Sequence, residues 1–134
     1  MPVQTTVRQL LEAKGDGIHS IAPDATVFEA LKVLSDAKIG ALLVIEEGKL
    51  VGMFSERDYA RKVILEGRSS KETKVSEVMS TNVCHVTPEQ TAKECMTLMN
   101  KNRFRHLPVL EGDAVIGVVS IGDIVRAILM SLLD

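Results

Sequence analysis

The second half of the chain repeats the first half in register, and this duplication limits the folds that the sequence can adopt. Pro23, Thr26 and Glu29 recur as Pro88, Thr91 and Glu94. The same spacing, without a gap, carries a second set of residues onto its counterparts: Gly52, Ser55, Asp58 and Arg61 onto Gly117, Ser120, Asp123 and Arg126. An internal repeat of this length indicates one supersecondary unit used twice. We call the two halves copy one and copy two.

Each copy predicts the same order of elements. Short strand-like pieces run from Ile18 to Ile21 and from Val83 to Val86, and each is followed by Thr-x-x-Glu, the pattern of a capping box at a helix start. Two compact apolar runs then flank a turn that contains glycine, as in a β-hairpin. Each copy ends with a segment whose apolar residues recur at helical spacing, which predicts a second helix. The unit is therefore β-α-β-β-α, and the fold class is α/β (α+β).

The predicted boundaries are residues 7–65 for copy one, 66–74 for a solvated linker without apolar side chains, and 75–130 for copy two. Short helical patches at 7–11 and 75–79 introduce the copies. A unit of this size buries little core alone, so we expect the two copies to pack through their sheets with pseudo-two-fold symmetry.

Composition excludes several classes of function. The net charge is −2 and only 3% of residues are aromatic, which argues against a nucleic-acid binder. No apolar run is long enough to span a membrane, and the first residues lack the layout of a signal peptide. Cys84 and Cys95 lie in apolar contexts without a CxxC pattern, so we expect reduced, buried thiols and a cytoplasmic location.

The repeated turn Gly-x-x-Ser-x-x-Asp carries the most chemical information. It reads 52-GMFSERD-58 in copy one and 117-GVVSIGD-123 in copy two. One interpretation is structural, because Ser with Asp three residues later is a variant capping box that needs no ligand. The other is a nucleotide clamp, in which the helix N-terminus suits a phosphate and an ionised Asp accepts hydrogen bonds from a ribose diol. Glycine before the turn would let the ligand approach the backbone.

The doubled unit and its turn resemble a pair of cystathionine β-synthase (CBS) domains, also called a Bateman module. The segments 55-SERDY-59 and 105-RHLPV-109 resemble forms that are common in small stand-alone bacterial members. The resemblance runs from about Val7 to Leu129, so we expect no attached catalytic domain. It implies adenosyl ligands such as AMP, ATP, NAD(H) or S-adenosylmethionine in clefts between the copies, a homodimer, and a regulated protein partner that is not specified.

The resemblance also implies roles for individual residues. Asp58 and Asp123 would hold ribose hydroxyls, and Ser55 and Ser120 would face phosphate. The adenine slot would be lined by residues of the strand-like pieces: Ile18, Ile21, Val83 and Val86.

The two copies differ in their cationic residues. Copy one has Arg57 where copy two has Gly122, and copy two has Arg105 and His106 where copy one has Gly40 and Ala41. Because arginine suits phosphate, we expect inequivalent sites in which one phosphate draws on Arg57 and Arg105, with Arg103 and His106 nearby. The alternative is that the basic residues before the second strand only complement a helix dipole.

Catalysis and metal binding are not predicted. His19, His85 and His106 are not spaced as metal ligands, and no nucleophile–base arrangement is recognisable. The sequence therefore predicts a regulatory module that senses an adenosine nucleotide and is not an enzyme. The alternative is a dimerisation scaffold whose turns are purely structural.

Overall fold

The computed structural model describes residues 4–14 and 18–133, which form two compact units. The copy-one unit is His19–Val83, and the copy-two unit comprises residues 84–133 together with the described residues that precede His19. The helices are α1 (Val7–Lys14), α2 (Val27–Ala37), α3 (Glu56–Tyr59), α4 (Val75–Val78), α5 (Ala92–Asn102) and α6 (Ile121–Ser131). The strands are β1 (Ser20–Ile21), β2 (Ala41–Glu46), β3 (Lys49–Ser55), β4 (His106–Glu111) and β5 (Ala114–Ser120). This mixture of helices and strands confirms the predicted fold class.

In each copy, the β-hairpin and the helix that precedes it follow the sequence prediction. These are α2 with β2–β3, and α5 with β4–β5. In the copy-one unit, β2 and β3 are antiparallel and meet at a two-residue turn, Glu47–Gly48, in which both φ angles are positive. Turns of this kind match the twist of the strands that they join. Both predicted capping boxes are confirmed: the hydroxyls of Thr26 and Thr91 accept from the N–H groups of Glu29 and Glu94 at 3.1 Å.

The first strand of copy one is shorter than predicted, and the corresponding strand of copy two is absent. β1 pairs in parallel with β2, and the N–H of Leu43 donates to His19 O at 3.2 Å. The residue of copy two that corresponds to Leu43 is Pro108, which has no N–H to donate. Only a single parallel bridge, between Val86 and Val109, remains there. The proline therefore explains why a strand over 83–86 does not form.

The helix that introduces each copy in sequence packs with the other copy. Val75 and Val78 of α4 are buried in the core of the copy-one unit, and Val7 of α1 is buried in the core of the copy-two unit. Backbone hydrogen bonds fix these positions, because Val7 N–H donates to Gln90 O and Val75 N–H donates to Ala25 O, both at 2.8 Å. The boundaries 7–65 and 75–130 thus remain a prediction for the duplicated sequence, whereas packing divides the chain at other points.

The two repeated glycines make this exchange possible. A Cβ on Gly117 would lie 2.6 Å from Cδ2 of Leu11 in α1, and a Cβ on Gly52 would lie 2.8 Å from both Met79 Sδ and Ser80 O. Ser80 and Met53 are also bonded through their backbones at 2.8 and 2.9 Å. Each glycine therefore admits a segment of the chain itself, and the approach of a ligand at these glycines stays a prediction.

The segment between the copies is mostly exposed, as expected, but it is anchored at one end of α2. The carbonyls of Ser70 and Thr73 accept from Phe28 and Val27 at 2.9 and 2.8 Å, and Thr73 is buried. Before this segment, α3 continues as a π-helical turn, Ala60–Ile64. Over residues 4–14 and 18–133, the helices are all too short or too polar to cross a membrane.

We expect Gly52→Ala to lower the free energy of unfolding by about 2 kcal/mol, because overpacking against a fixed backbone costs roughly 1–3 kcal/mol. Thermal unfolding would show this as a midpoint several degrees lower. Gly122→Ala is the matched control, because its Cβ would meet only Ser120 Oγ, at an ordinary 3.6 Å, and alanine favours a helix. Equal midpoints for Gly52→Ala and the unmodified protein would contradict the close-approach explanation.

Candidate functional site

The two Gly-x-x-Ser-x-x-Asp turns form the same capping box where a hairpin strand passes into a helix. In copy one, Ser55 Oγ accepts from Asp58 N–H at 3.1 Å, and Asp58 Oδ2 accepts from Ser55 N–H at 2.9 Å. In copy two the corresponding distances between Ser120 and Asp123 are 3.1 and 2.8 Å. The structural interpretation of the turn is therefore present in both copies, and it occupies one carboxylate oxygen of each Asp.

The other neighbours of Asp58, which belong to the same unit, contact its second carboxylate oxygen. Ser80 Oγ donates to Asp58 Oδ1 at 3.1 Å, and Lys62 Nζ lies 3.2 Å from the same oxygen. Lys62 Nζ also donates to Val78 O at 3.1 Å. Asp58 is 8% exposed. Both oxygens of this carboxylate are thus engaged, and a ligand would have to replace Ser80 or Lys62 to reach it.

Asp123 has a more open arrangement. Lys14 Nζ donates to Asp123 Oδ2 at 2.9 Å, whereas Arg126 Nη2 lies 3.7 Å from Oδ1, beyond hydrogen-bond distance. Partial burial acts to raise the pKa of Asp123, but the hydrogen bond from Ser120 N–H and the ammonium of Lys14 outweigh it and hold this pKa below its ordinary value. Asp123 is therefore an ionised acceptor at neutral pH.

Asp123 lies in the wall of a cavity of about 430 Å³ within the copy-two unit, between α1 and α6. This volume falls in the range of roughly 300–1,000 Å³ that is typical of small-molecule sites. The lining combines apolar and polar groups: Leu10, Ala13, Ala127 and Met130 with Thr5, Gln9, Lys14, Asp123, Arg126 and Ser131. One carboxylate, two cations and an apolar surface suit a small ligand with both a polar and an apolar part. We call this cavity the α1–α6 pocket.

Sequence reasoning identified Asp123 but missed most of this pocket. Lys14 and Asp123 are 109 residues apart, and α1 was expected to serve copy one. The only feature of the sequence that pointed to Lys14 is its position at the end of a short amphipathic helix. Many surface lysines share this position, so it does not indicate a binding site. Arg126 was recognised as a repeated residue without a role.

The predicted phosphate-binding residues fall into two groups. Arg57 is exposed on α3, and its side chain makes no hydrogen bond or ion pair with the described residues. Arg105 and His106 lie beside the copy-two turn, because Arg105 O accepts from Ile121 N–H at 2.9 Å and His106 pairs with Ser120 across the hairpin. Arg57 and Arg105 belong to different units, so a phosphate shared between them stays a prediction.

Arg103 has a backbone role at the end of α5. It adopts the left-handed conformation with φ 58°, and its N–H donates to Met99 O. Lys101 lies in the last turn of α5, where a cation complements the helix dipole. The alternative that part of this basic cluster serves the helix end therefore has direct support.

The residues predicted to line the adenine slot differ in exposure. Ile18 is 42% exposed, Ile21 and Val83 are half-buried, and Val86 is fully buried in the core of the copy-two unit. The backbone N–H and C=O of Val86 are also bonded, to Pro108 and Leu110. Val86 thus supports the core, while Ile18, Ile21 and Val83 keep accessible surface.

The cysteines are free thiols in the copy-two unit. Burial raises the pKa of Cys95 to about 11, so this thiol stays protonated at neutral pH, and Cys84 is half-buried beside the same core. Within residues 4–14 and 18–133, no three His, Cys, Asp or Glu side chains are grouped as metal ligands would be.

The CBS domain family model matches residues 15–65 and 75–130. The CBS domain-containing protein CBSX3, mitochondrial, of Arabidopsis thaliana is 41% identical over 133 residues, covering 92% of this chain; the chain spans 65% of that protein's length. These names refer to a domain and do not specify a reaction.

Solved structures with the same fold include a protein with CBS domains from Burkholderia ambifaria, with 46% identity and a TM-score of 0.91, covering 94% of this chain and 95% of that one. The CBS domain pair of protein MJ0100, solved with 5′-methylthioadenosine and S-adenosyl-L-methionine, is 25% identical with a TM-score of 0.84, covering 98% and 100%. A hexameric CBS-CP12 protein from bloom-forming cyanobacteria is 26% identical with a TM-score of 0.82, covering 94% and 73%. The chain belongs to the CBS domain family and contains two CBS repeats.

Proposed function

We propose that this CBS domain pair is a regulatory module that binds an adenosine nucleotide, and that the α1–α6 pocket is part of its binding site. The observation that carries the proposal is Asp123, an ionised carboxylate in the wall of a pocket of suitable volume. The complex of protein MJ0100 with two adenosine-containing molecules supports the ligand class.

The pocket offers a complementary group for each part of such a ligand. Asp123 accepts from ribose hydroxyls, which are paired donors. Leu10, Ala127 and Met130 offer apolar surface to the base, and Lys14 and Arg126 offer cations to a phosphate. These groups favour AMP, ATP or NAD(H) over S-adenosylmethionine, whose sulfonium and amino groups are positive.

The two copies would not contribute equally. We assign the first ligand to Asp123, because the carboxylate of Asp58 is engaged by Ser80 and Lys62. Ser55, Arg57 and Asp58 remain proposed contacts for a second ligand. Ser120, Arg105 and His106, which lie beside the Asp123 turn, remain proposed contacts for the first, as does Arg103 nearby.

Regulation requires that the ligand bind one conformation more tightly than another. Because α1 and α6 form opposite walls of the pocket, a bound ligand would favour one spacing of these two helices. A protein partner that recognises either helix would then sense the ligand. The identity of this partner and the cytoplasmic location stay predictions.

Self-association is a second candidate function, supported by an exposed apolar stripe on α6. Ile121, Val125 and Leu129 recur at the spacing of one helical face and are 38%, 40% and 57% exposed, and Leu132 beyond them is 74% exposed. A contiguous exposed apolar stripe marks an interaction surface. We propose a homodimer through this stripe; association is compatible with ligand binding.

Nucleotide binding is tested by thermal unfolding with AMP, ADP, ATP, NAD, NADH and S-adenosylmethionine. At a ligand concentration of about a hundred times Kd, linkage stabilises the protein by roughly 2.7 kcal/mol, which raises the unfolding midpoint by several degrees. Asp123→Ala should remove most of the rise caused by AMP. Asp58→Ala, which deletes the same capping contacts in copy one, should remove less of this rise, because Asp58 is a proposed contact only for the second ligand.

The absence of a rise with all six compounds would contradict nucleotide binding and leave the association function. A rise in the unfolding midpoint that Asp58→Ala abolishes and Asp123→Ala preserves would place the ligand in copy one. It would therefore contradict the assignment of the first ligand to Asp123.

Association is tested by light scattering after gel filtration, with Leu129→Glu in α6 and Phe28→Glu in α2 as a matched exposed apolar position, 40% exposed. We expect a dimer for the unmodified protein and for Phe28→Glu. Leu129→Glu should shift the protein to the monomer, because it buries a charge at the proposed interface. An unmodified protein that is monomeric, or a Leu129→Glu variant that stays fully dimeric, would contradict the stripe as the interface.

A further inference from the structure

One side chain already occupies the acceptor that we assign to the ligand. Lys14 Nζ donates to Asp123 Oδ2 at 2.9 Å and to Val118 O at 3.0 Å. The Lys14 side chain is 44% exposed, whereas that of Asp123 is 16% exposed. The ammonium therefore lies at the pocket wall with access to solvent, and it neutralises the carboxylate when no ligand is bound.

We propose that Lys14 makes the α1–α6 pocket selective for adenosine ligands that carry an anionic group next to the ribose. This inference rests on the proposed function and deepens it. A ribose diol that donates to Asp123 competes with the Lys14 ammonium for the same carboxylate. A nucleoside without phosphate offers the displaced ammonium nothing in return, whereas a phosphate offers it a new charge-assisted contact.

Arg126 strengthens this selectivity at the other carboxylate oxygen of Asp123. Its Nη2 lies 3.7 Å from Asp123 Oδ1, and its side chain is 66% exposed, so it can turn toward a ligand at little cost. Two cations and one carboxylate leave the pocket with a surplus positive charge that a phosphate would balance. A ligand with a cationic group would add to that surplus.

Copy one provides an internal contrast. Lys62 joins Asp58 to the carbonyl of Val78 with distances close to those of Lys14. There, however, Ser80 also bonds the carboxylate, and the side chain of Asp58 is 11% exposed. Replacing Lys62 should therefore leave the choice of ligand unchanged, which makes Lys62 the matched control for Lys14.

The experiment is calorimetric titration of AMP and of adenosine into the full chain carrying Lys14→Met, Lys14→Arg or Lys62→Met, and into the unmodified protein. We expect the unmodified protein to prefer AMP. A charge-assisted contact contributes enough binding free energy that Lys14→Met should reduce the preference for AMP over adenosine about tenfold or more. Most of the change should be weaker AMP binding, with adenosine binding unchanged or tighter because Asp123 is released. Lys14→Arg and Lys62→Met should keep the preference.

Equal loss of AMP and adenosine affinity in Lys14→Met would overturn the inference, since it would mean that Lys14 only holds α1 in place. An unchanged preference would overturn it as well, while leaving nucleotide binding intact. If the unmodified protein binds neither compound, the proposed function fails and this inference fails with it. Should Lys14→Met lower the unfolding midpoint strongly, Lys14→Gln gives the same comparison with a polar side chain at that position.

Discussion

The docking of α1 against β5 is the constraint on which the copy-two unit depends. Leu11 packs over Gly117, where a Cβ would lie 2.6 Å from Cδ2 of Leu11, and Val7 is buried in the same core. This docking creates one wall of the α1–α6 pocket and brings the end of α1 to the repeated turn. The contact between Lys14 and Asp123 is a consequence of it. Packing, electrostatics and the candidate site are therefore linked through one glycine.

The same duplicated turn has two different environments. In both copies Ser and Asp satisfy N–H groups at a helix start, which accounts for their presence without a ligand. The difference lies in the second oxygen of each carboxylate. In Asp58 it is bonded by Ser80 and approached by Lys62, and in Asp123 it faces Arg126 at a longer distance. The duplication explains the fold, and these unequal contacts support unequal functions.

Local patterns predicted the local structure well, because capping boxes and two-residue hairpins depend on neighbours in sequence. The capping boxes at Thr26 and Thr91 and the duplicated hairpins were recognisable for this reason. The exchange of α1 and α4 was not predictable, since nothing in a short helix specifies which copy it packs against. Pro108 was visible in the sequence, but its effect on the strand at 83–86 depended on knowing the pairing register. The α1–α6 pocket forms because α1 packs with copy two. Since this packing was not predicted, Asp123 is the one pocket residue for which a binding role was predicted from the sequence.

The central claim is that Asp123 binds the ribose of an adenosine nucleotide in the α1–α6 pocket. The measurement that tests it most directly is a crystal structure of the full chain grown with AMP. We expect AMP in this pocket, with a ribose hydroxyl bonded to Asp123 and the Lys14 ammonium moved from the carboxylate toward phosphate. AMP bound with Asp123 still paired to Lys14, and with its ribose held elsewhere, would contradict the account.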